Sequence, residues 1–572
     1  MMPNRPVIMA ARHAVSTGHY LATQAGFAVL EAGGNAVDAG VAAGLVLGVV
    51  QSDIVNVAGV APMIIWRAET GGMTSIDGLG TWPAAVTPDL FQREHEGRIP
   101  EGLLRTVVPA APHAWLTALA RYGTMSLSEV AAPAIRLATE GFAMFPLLAD
   151  NLRDWQADYA RWPSSAAIYL PGGRPPEVGE LFVQADLGRS LQYMVDEEAV
   201  AGGSREDGIG AARDAFYKGD IARAIARFHA ENGGLLSEAD LAGYACREEP
   251  TCRIRFAGIE VHSCGPWSQG PALPQSLAIL ADDDLAGLGH NSPAYIHRVV
   301  EALKLAFADR ERHYGDPRFV DVPIEALLSP DYARARRKLI DDARAWPEMP
   351  PAGDPGTGAA VGESATMPPP ASGASPPPHD TSYVCVVDRW GNAFSATPSD
   401  VSRDTPVIPG TGLCPSSRGS QSWANPAHPS SVAPGKRPRL TPNPALALKD
   451  GRPFLVFGSP GGDVQTQAML QVFLNVVVFG MDVQSAVEAP RFASFSFPIS
   501  FEPHEYHPGR LNLEARLPEE TGAALAALGH EIEWWPERTW RAGSVCLIRP
   551  DHDAGILHAG ADFRRAGYAL GW

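Results

Sequence analysis

Residues 347–399 constrain this chain more than any other stretch. From Pro347 to Asp380 the sequence runs Pro-Glu-Met-Pro-Pro-Ala-Gly through Ser-Pro-Pro-Pro-His-Asp, too rich in Pro, Gly and Ala to pack as helix or strand. At Thr381 the character changes abruptly. Ser382, Val384 and Val386 alternate with Tyr383, Cys385 and Val387, and the run breaks at Asp388-Arg389-Trp390-Gly391-Asn392. Ala393-Phe394-Ser395-Ala396-Thr397 follows at once, so the pattern predicts a hairpin closed by a Gly/Asn turn. A loose tether thus runs into a buried strand whose first residue carries a hydroxyl.

That junction has a chemical logic. If the Asp380–Thr381 bond were cut, Thr381 would carry a nucleophilic oxygen and a free α-amine on adjacent carbons. A Thr hydroxyl needs a base to take its proton, and an α-amine of pKa about 7.7–8.0 can serve near neutral pH. The β-branched side chain is stiff about χ1, which helps keep its oxygen on one face of the strand. From this stretch alone a plainer alternative stands beside it, in which Thr381 merely starts a strand after a linker.

The bulk numbers bound the rest. A chain of 572 residues holds two to four ordinary domains or one large α/β body. An apolar fraction of 45% and a charged fraction of 19% are those of a soluble globular protein. The net charge of −18 argues against nucleic acid or an anionic membrane as partner and serves solubility. The N-terminus lacks a sustained apolar run, and Gly40 to Val50 is too short to span a bilayer, so a cytoplasmic location is expected. The six cysteines form no CxxC pair and have no His at ligand spacing, which predicts reduced, partly buried thiols and no metal site.

In order, apolar residues at helical spacing flank Gly33-Gly34-Asn35, predicting a Gly-capped helix and then a small-residue helix packed in the core. Ala61–Trp66 and Met73–Asp77 read as paired strands. The texture from Val108 to about Ile340 is helical, with Ser237 a cap, a strand interval from Arg253 to His262 and a long helix from Ser292 to about Tyr314. Beyond the linker the chain is β-rich. Pro453–Phe457 feeds Gly458-Ser459-Pro460-Gly461-Gly462, and a helix follows from Val464 to Phe479. Successive glycines before a helix let backbone N–H groups converge on an anion, either a phosphate or the oxyanion of acyl transfer. No Lys-Ser or Lys-Thr follows the turn, which weighs against a nucleotide.

Together these pieces resemble the γ-glutamyltransferase family of N-terminal-nucleophile hydrolases. The resemblance covers nearly the whole chain. It rests on Ala-Gly-Gly-Asn-Ala-Val-Asp-Ala (32–39), Tyr-Gly-Thr-Met-Ser (122–126), Asn-Gly-Gly-Leu-Leu (232–236) and Tyr-Gly-Asp-Pro (314–317). It continues through Thr381 to Asn392, Pro-Gly-Lys-Arg-Pro (434–438), Gly-Ser-Pro-Gly-Gly (458–462) and Ala-Pro-Arg-Phe (489–492). The resemblance implies an α+β fold, the four-layer αββα sandwich of N-terminal-nucleophile hydrolases. It implies a proenzyme cut between Asp380 and Thr381 into a large part (1–346 with the 347–380 linker) and a small part (381–572), which stay together as one intertwined body. Thr381 would be nucleophile and, through its new amine, base. Gly461 and Gly462 would form the oxyanion hole, and Ser399 would take the place of the family's second Thr. Thr397 falls on the neighbouring family Thr and Asn392 on the turn. No cofactor or metal is implied, and the partners are a small acyl amide and the chain's own fragments, with a homo-oligomer left open.

The departures bear on substrate. Leu79 stands where the family has an Arg for the glutamyl α-carboxylate, Val401 replaces an Asn, and the family's Ser pair becomes Leu440-Thr441. The acidic residue that holds the substrate ammonium falls near Ser420 or Gln421. Losing a bidentate Arg would leave a buried carboxylate uncompensated, a penalty of roughly 3–5 kcal/mol. Arg418, Gln421, Thr441 and Leu79 are therefore the expected substrate-reading residues. The leading expectation is an amide hydrolase working through acyl-Thr381, on a γ-glutamyl or related acyl group, with water as acceptor. The rival from another class is an unprocessed, catalytically silent ligand-binding relative.

Overall fold

The computed structural model describes residues 3–361, 368, 371 and 381–572. Asp380 and most of the second half of the Pro-rich linker lie outside the described residues.

Two antiparallel sheets of seven strands carry the fold. The first sheet runs in space Ile8–Ala10, Ile556–Ala561, Cys546–Asp551, Arg452–Gly458, Ala445–Lys449, Ile259–Ser263, Cys252–Phe256. The second runs Tyr568–Gly571, Ala14–Thr17, Val384–Val387, Ala393–Ala396, Met63–Arg67, Gly72–Ile76, Glu248–Glu249. Each sheet therefore mixes strands from before and after the linker.

The alternation after Thr381 explains where the core sits. Tyr383, Cys385 and Val387 face inward between the sheets, meeting Leu446, Val456 and Ile548 of the other sheet. Val384 and Val386 face the opposite way, onto the helices Tyr20–Glu31 and Ala36–Val50. The second of these helices is buried at every position, which its small residues permit. A Cβ at Gly40 would lie 2.3 Å from the Phe394 ring, so a side chain there would lift the helix off the sheet. Asn35 opens it through a reciprocal capping box with Asp38, as the Gly-Gly-Asn signal predicts. On the far face of the first sheet, Val261, Ala447, Leu455 and Phe457 pack under the helices Ala272–Ile279, Pro293–His313 and Val464–Val477.

The expected hairpin, the paired strands Met63–Arg67 and Gly72–Ile76, the Ser292-capped long helix and the Ser237 cap are all present. The strand interval at 253–262 is two strands, Cys252–Phe256 and Ile259–Ser263. One expectation needs correction. The linker is not wholly unpacked: Gly353 N–H donates to Asp309 at 2.7 Å, Arg336 donates to Pro351 O at 2.8 Å, and Met349 N–H donates to the Tyr506 hydroxyl at 2.8 Å. The chain here has no period of its own, but buried charged groups of the helical part reach out and fix its backbone. Among the described residues no helix is long and apolar enough to cross a membrane. All six cysteines are free, four of them buried.

Candidate active site

Hairpin register sets the first contact. Val384 lies opposite Ala396, and the same register, continued outward, places Thr381 opposite Ser399. Ser399 is pinned from its other side, exchanging backbone hydrogen bonds of 3.0 and 3.1 Å with Val60. The Thr381 and Ser399 hydroxyl oxygens are 2.8 Å apart and buried. Gln465 Nε2 donates to Thr381 Oγ1 at 3.1 Å, and the Arg418 guanidinium donates to Ser399 Oγ. Arg565 donates to the Thr381 carbonyl at 3.3 Å.

These donors set two of the three directions, and the Thr381–Ser399 hydroxyl pair can run either way. Arg418 can only donate, so Ser399 Oγ accepts there and its own hydroxyl proton is available to Thr381 Oγ. Gln465 Nε2 is likewise only a donor. Gln465 is thus one fixed donor to Thr381 Oγ, and donation from Ser399 would make a second, an arrangement that favours negative charge on that oxygen.

Arg418 is held by Asp400, whose carboxylate lies 3.6 Å from its Nε. Asp400 has φ 142, a conformation an L-residue adopts only under constraint. The constraint is its carboxylate, which accepts from Ser416 Oγ at 2.5 Å, Ser417 Oγ at 2.7 Å and Ser417 N–H at 3.1 Å. Burial pushes the Asp400 pKa up, and the Arg418 charge opposes that rise.

Gly461 and Gly462 have φ 121 and 56, positive-φ geometry that favours glycine, just before the helix Val464–Val477. The rear of this turn is braced. Gln269 Nε2 donates to both Thr441 O and Gly462 O at 2.9 Å, and its Oε1 accepts from Arg310 at 3.2 Å. Arg310 also pairs with Asp463 and with Glu311, and Arg439 bonds Glu311 at 2.7 Å. Burial alone would raise the Glu311 carboxyl, but the Arg439 and Arg310 guanidiniums outweigh it and leave it below its usual range.

The residues expected from sequence fall into two groups. Thr381, Ser399 and Arg418 form one hydrogen-bonded chain. Gln421 donates to Thr441 Oγ1 at 2.8 Å, and Gln269 joins that pair to the glycine turn. Leu79 is buried in the apolar cluster between the sheets with Trp267 and Leu440, and it lines, with Trp82 and Tyr244, a cavity of about 450 Å³. Thr397 is buried and Asn392 closes the hairpin by bonding Asp388 at 2.9 Å, a turn-forming role. Sequence reasoning missed Gln465, Asp400, Gln269 and Arg310. Only Gln465 left a local signal, lying three residues past Gly462 at the start of the helix.

Among the described residues one group elsewhere brings metal-ligand types together: His297, Glu301 and His530, whose ligand atoms lie within 4.8 Å of one another. The one carboxylate in it already has a cation, although His530 Nδ1 is without a hydrogen-bond partner among the described residues. His297 bonds His530 at 2.9 Å and Asp341 O at 2.8 Å, while the Lys304 ammonium pairs with Glu301 at 2.8 Å. A cation there would have to displace the lysine.

Comparison with known proteins gives a consistent result. The family profile described as Gamma-glutamyltranspeptidase matches residues 22–572. The acylase ACY 1 proenzyme of Pseudomonas sp. (strain SE83) is 35% identical over 574 residues, covering 97% of this chain and 93% of that protein. The solved structure of LmbA2991HD is 37% identical with a TM-score of 0.94, covering 100% of each chain. The cephalosporin acylase from Bacillus halodurans is 27% identical with a TM-score of 0.86, covering 100% of this chain and 98% of that one. Glutathione hydrolase and oxamate amidohydrolase proenzymes are also among the relatives.

Proposed function

The chain belongs to the gamma-glutamyltranspeptidase family, and from that premise we propose that it is a self-processing amide hydrolase that works through an acyl-Thr381 intermediate. The observation that carries this reading is the Thr381 hydroxyl, 2.8 Å from Ser399 and within 3.1 Å of Gln465. Its fold, on this reading, is the helix–sheet–sheet–helix sandwich of the N-terminal-nucleophile hydrolases. Scission at Asp380–Thr381 yields 1–380 and 381–572, and strands of both parts share both sheets, which supports their staying together.

The steps balance as follows. Thr381 Oγ attacks the carbonyl of Asp380, its acyl group shifts from nitrogen to oxygen, and water hydrolyses the ester, leaving a free α-amine. In turnover that amine takes the Oγ proton as Oγ attacks the substrate carbonyl carbon. The Gly461 and Gly462 N–H groups stabilise the resulting oxyanion. Collapse expels the substrate amine, which leaves with the proton held on the α-ammonium. Water, deprotonated by the α-amine, then attacks the acyl ester, releasing the carboxylic acid and restoring the hydroxyl.

For the acyl group, the buried Leu79 offers no charge to a substrate carboxylate, and the Arg418 charge is engaged by Asp400 and Ser399. The acylase names among the relatives support an acyl donor other than a conventionally held γ-glutamyl group. A panel of acyl anilides on the processed protein tests this. Slow release from γ-glutamyl anilide beside faster release from another acyl anilide is expected; a γ-glutamyl preference would overturn the substrate assignment and leave the mechanism standing.

A further inference from the structure

Three glutamines on the helix after the glycine turn behave differently. Gln467 and Gln471 each close both ends of the carboxamide on backbone. Gln467 donates to Ser494 O at 3.0 Å and accepts from Ser494 N–H at 2.8 Å. Gln471 donates to Phe492 O at 2.8 Å and accepts from Phe492 N–H at 3.2 Å. Both are structural clips between helix and strand.

Gln465 is as buried as they are, at 0% exposure, yet it makes no such clip. Its Nε2 goes to Thr381 Oγ1, and its Oε1 has no hydrogen-bond partner among the described residues. An acceptor left unpaired in a buried place costs free energy unless a partner arrives in another state of the protein. Scission creates such a partner. It converts the Thr381 amide nitrogen, one carbon away from the carbon bearing Oγ, into an amine that becomes an ammonium.

We infer that Gln465 is a catalytic residue that sorts the two functional groups of Thr381: its N–H holds Oγ, and its carbonyl oxygen takes the new α-ammonium. The inference rests on the N-terminal-threonine reading above. In turnover the N–H steadies the charge that develops on Oγ as the proton leaves. The carbonyl keeps the amine beside the hydroxyl and favours its protonated form. Because Gln465 lies three residues beyond Gly462, one helix start carries both the oxyanion donors and the group that aims the nucleophile. No bond to Gln465 is made or broken.

The test uses the full-length protein and three variants, Gln465→Leu, Gln465→Glu and Gln467→Leu, each followed by denaturing electrophoresis and by the pH dependence of kcat/KM on one acyl anilide. A charged partner's hydrogen bond is lost in Gln465→Leu, so kcat is expected to fall between about tenfold and a hundredfold. The pH limbs carry the discriminating signal. Removing the acceptor lowers the amine pKa, so the acidic limb of Gln465→Leu moves to lower pH by roughly half a unit to one unit. A carboxylate raises it, so the limb of Gln465→Glu moves to higher pH. Gln467→Leu lowers Tm and leaves the limb in place. Limbs unmoved in both Gln465 variants, or moved in the same direction, overturn the inference. If Gln465→Leu fails to fold, the isosteric Gln465→Glu decides alone by the direction of its limb. A folded Gln465 variant that remains one chain while Gln467→Leu is cleaved supports the placement of Oγ. Wild-type protein that is never cleaved at Thr381 would instead bring down the underlying reading.

Discussion

The two sides of the Gly461-Gly462 turn are built on opposite principles. Behind it, Arg310, Glu311, Arg439, Asp463 and Gln269 form a charged network whose members bond one another. In front of it, Thr381, Ser399 and Gln465 carry no charge, and Gln465 Oε1 and Thr397 Oγ1 are left without partners among the described residues. The rear gives rigidity, because breaking any buried charge pair is expensive. The front keeps unspent hydrogen-bonding capacity, which a substrate or a new amine can use. Rigid support behind groups with spare hydrogen-bonding capacity is what the proposed catalysis requires.

Substitutions on the two sides should therefore separate function from stability. The largest effect belongs to the front: Thr381→Ala is expected to remain one chain and to lose hydrolysis altogether, with Tm close to wild type. Denaturing electrophoresis and an anilide assay check both halves. Next, Arg310→Met takes the cation from buried Asp463 and leaves Glu311 to Arg439 alone, and should cost about 3–5 kcal/mol, read from urea unfolding of the processed protein. A wild-type urea midpoint for Arg310→Met would show that the rear network is not the support described here. Gly461→Ala puts a side chain on a backbone with φ 121 and, on the proposed oxyanion role, should reduce kcat roughly a hundredfold, with a smaller loss of stability.

The last contrast is a pH dependence of the rear, which changes no residue. The Trp423 ring is stacked between His428 and His504, with centroids 4.2 and 3.9 Å away. Burial pushes His428 down to about 3 and His504 down to about 4. Both are neutral in the folded protein and take up protons near pH 6.5 when unfolded. Their contribution is thus complete above about pH 6.5 and declines as pH falls toward 4, by roughly 1.4 kcal/mol per pH unit for each. Urea midpoints measured between pH 7 and pH 4 check the slope. Removing one titrating ring in His504→Gln should flatten it.

Part of the front was legible in the sequence: the hairpin and its Asp388–Asn392 turn are local patterns, and the paired glycines mark a helix entry. Ser399 is reached in the sequence only through the family resemblance, and the hairpin register, continued outward, is what sets it opposite Thr381 in the fold. The rear was not legible. Arg310 sits near the end of the long helix and Asp463 far beyond the linker, and nothing in either neighbourhood points to the other. The strained Asp400 was hidden for the same reason, since its cause is three hydrogen bonds from Ser416 and Ser417 across a loop. The first half of the linker was misjudged because composition describes what a segment can form by itself, whereas Asp309 and Arg336 bind its backbone from outside.

The most direct test is a mass spectrum of the purified protein under denaturing conditions, taken before and after brief exposure to a slowly hydrolysed acyl amide. The expected result is two chains, the smaller beginning at Thr381 and gaining one acyl group on that residue during exposure. A protein that hydrolyses amides while Thr381 remains within an uncut chain, or that carries the acyl group on another residue, would contradict the account.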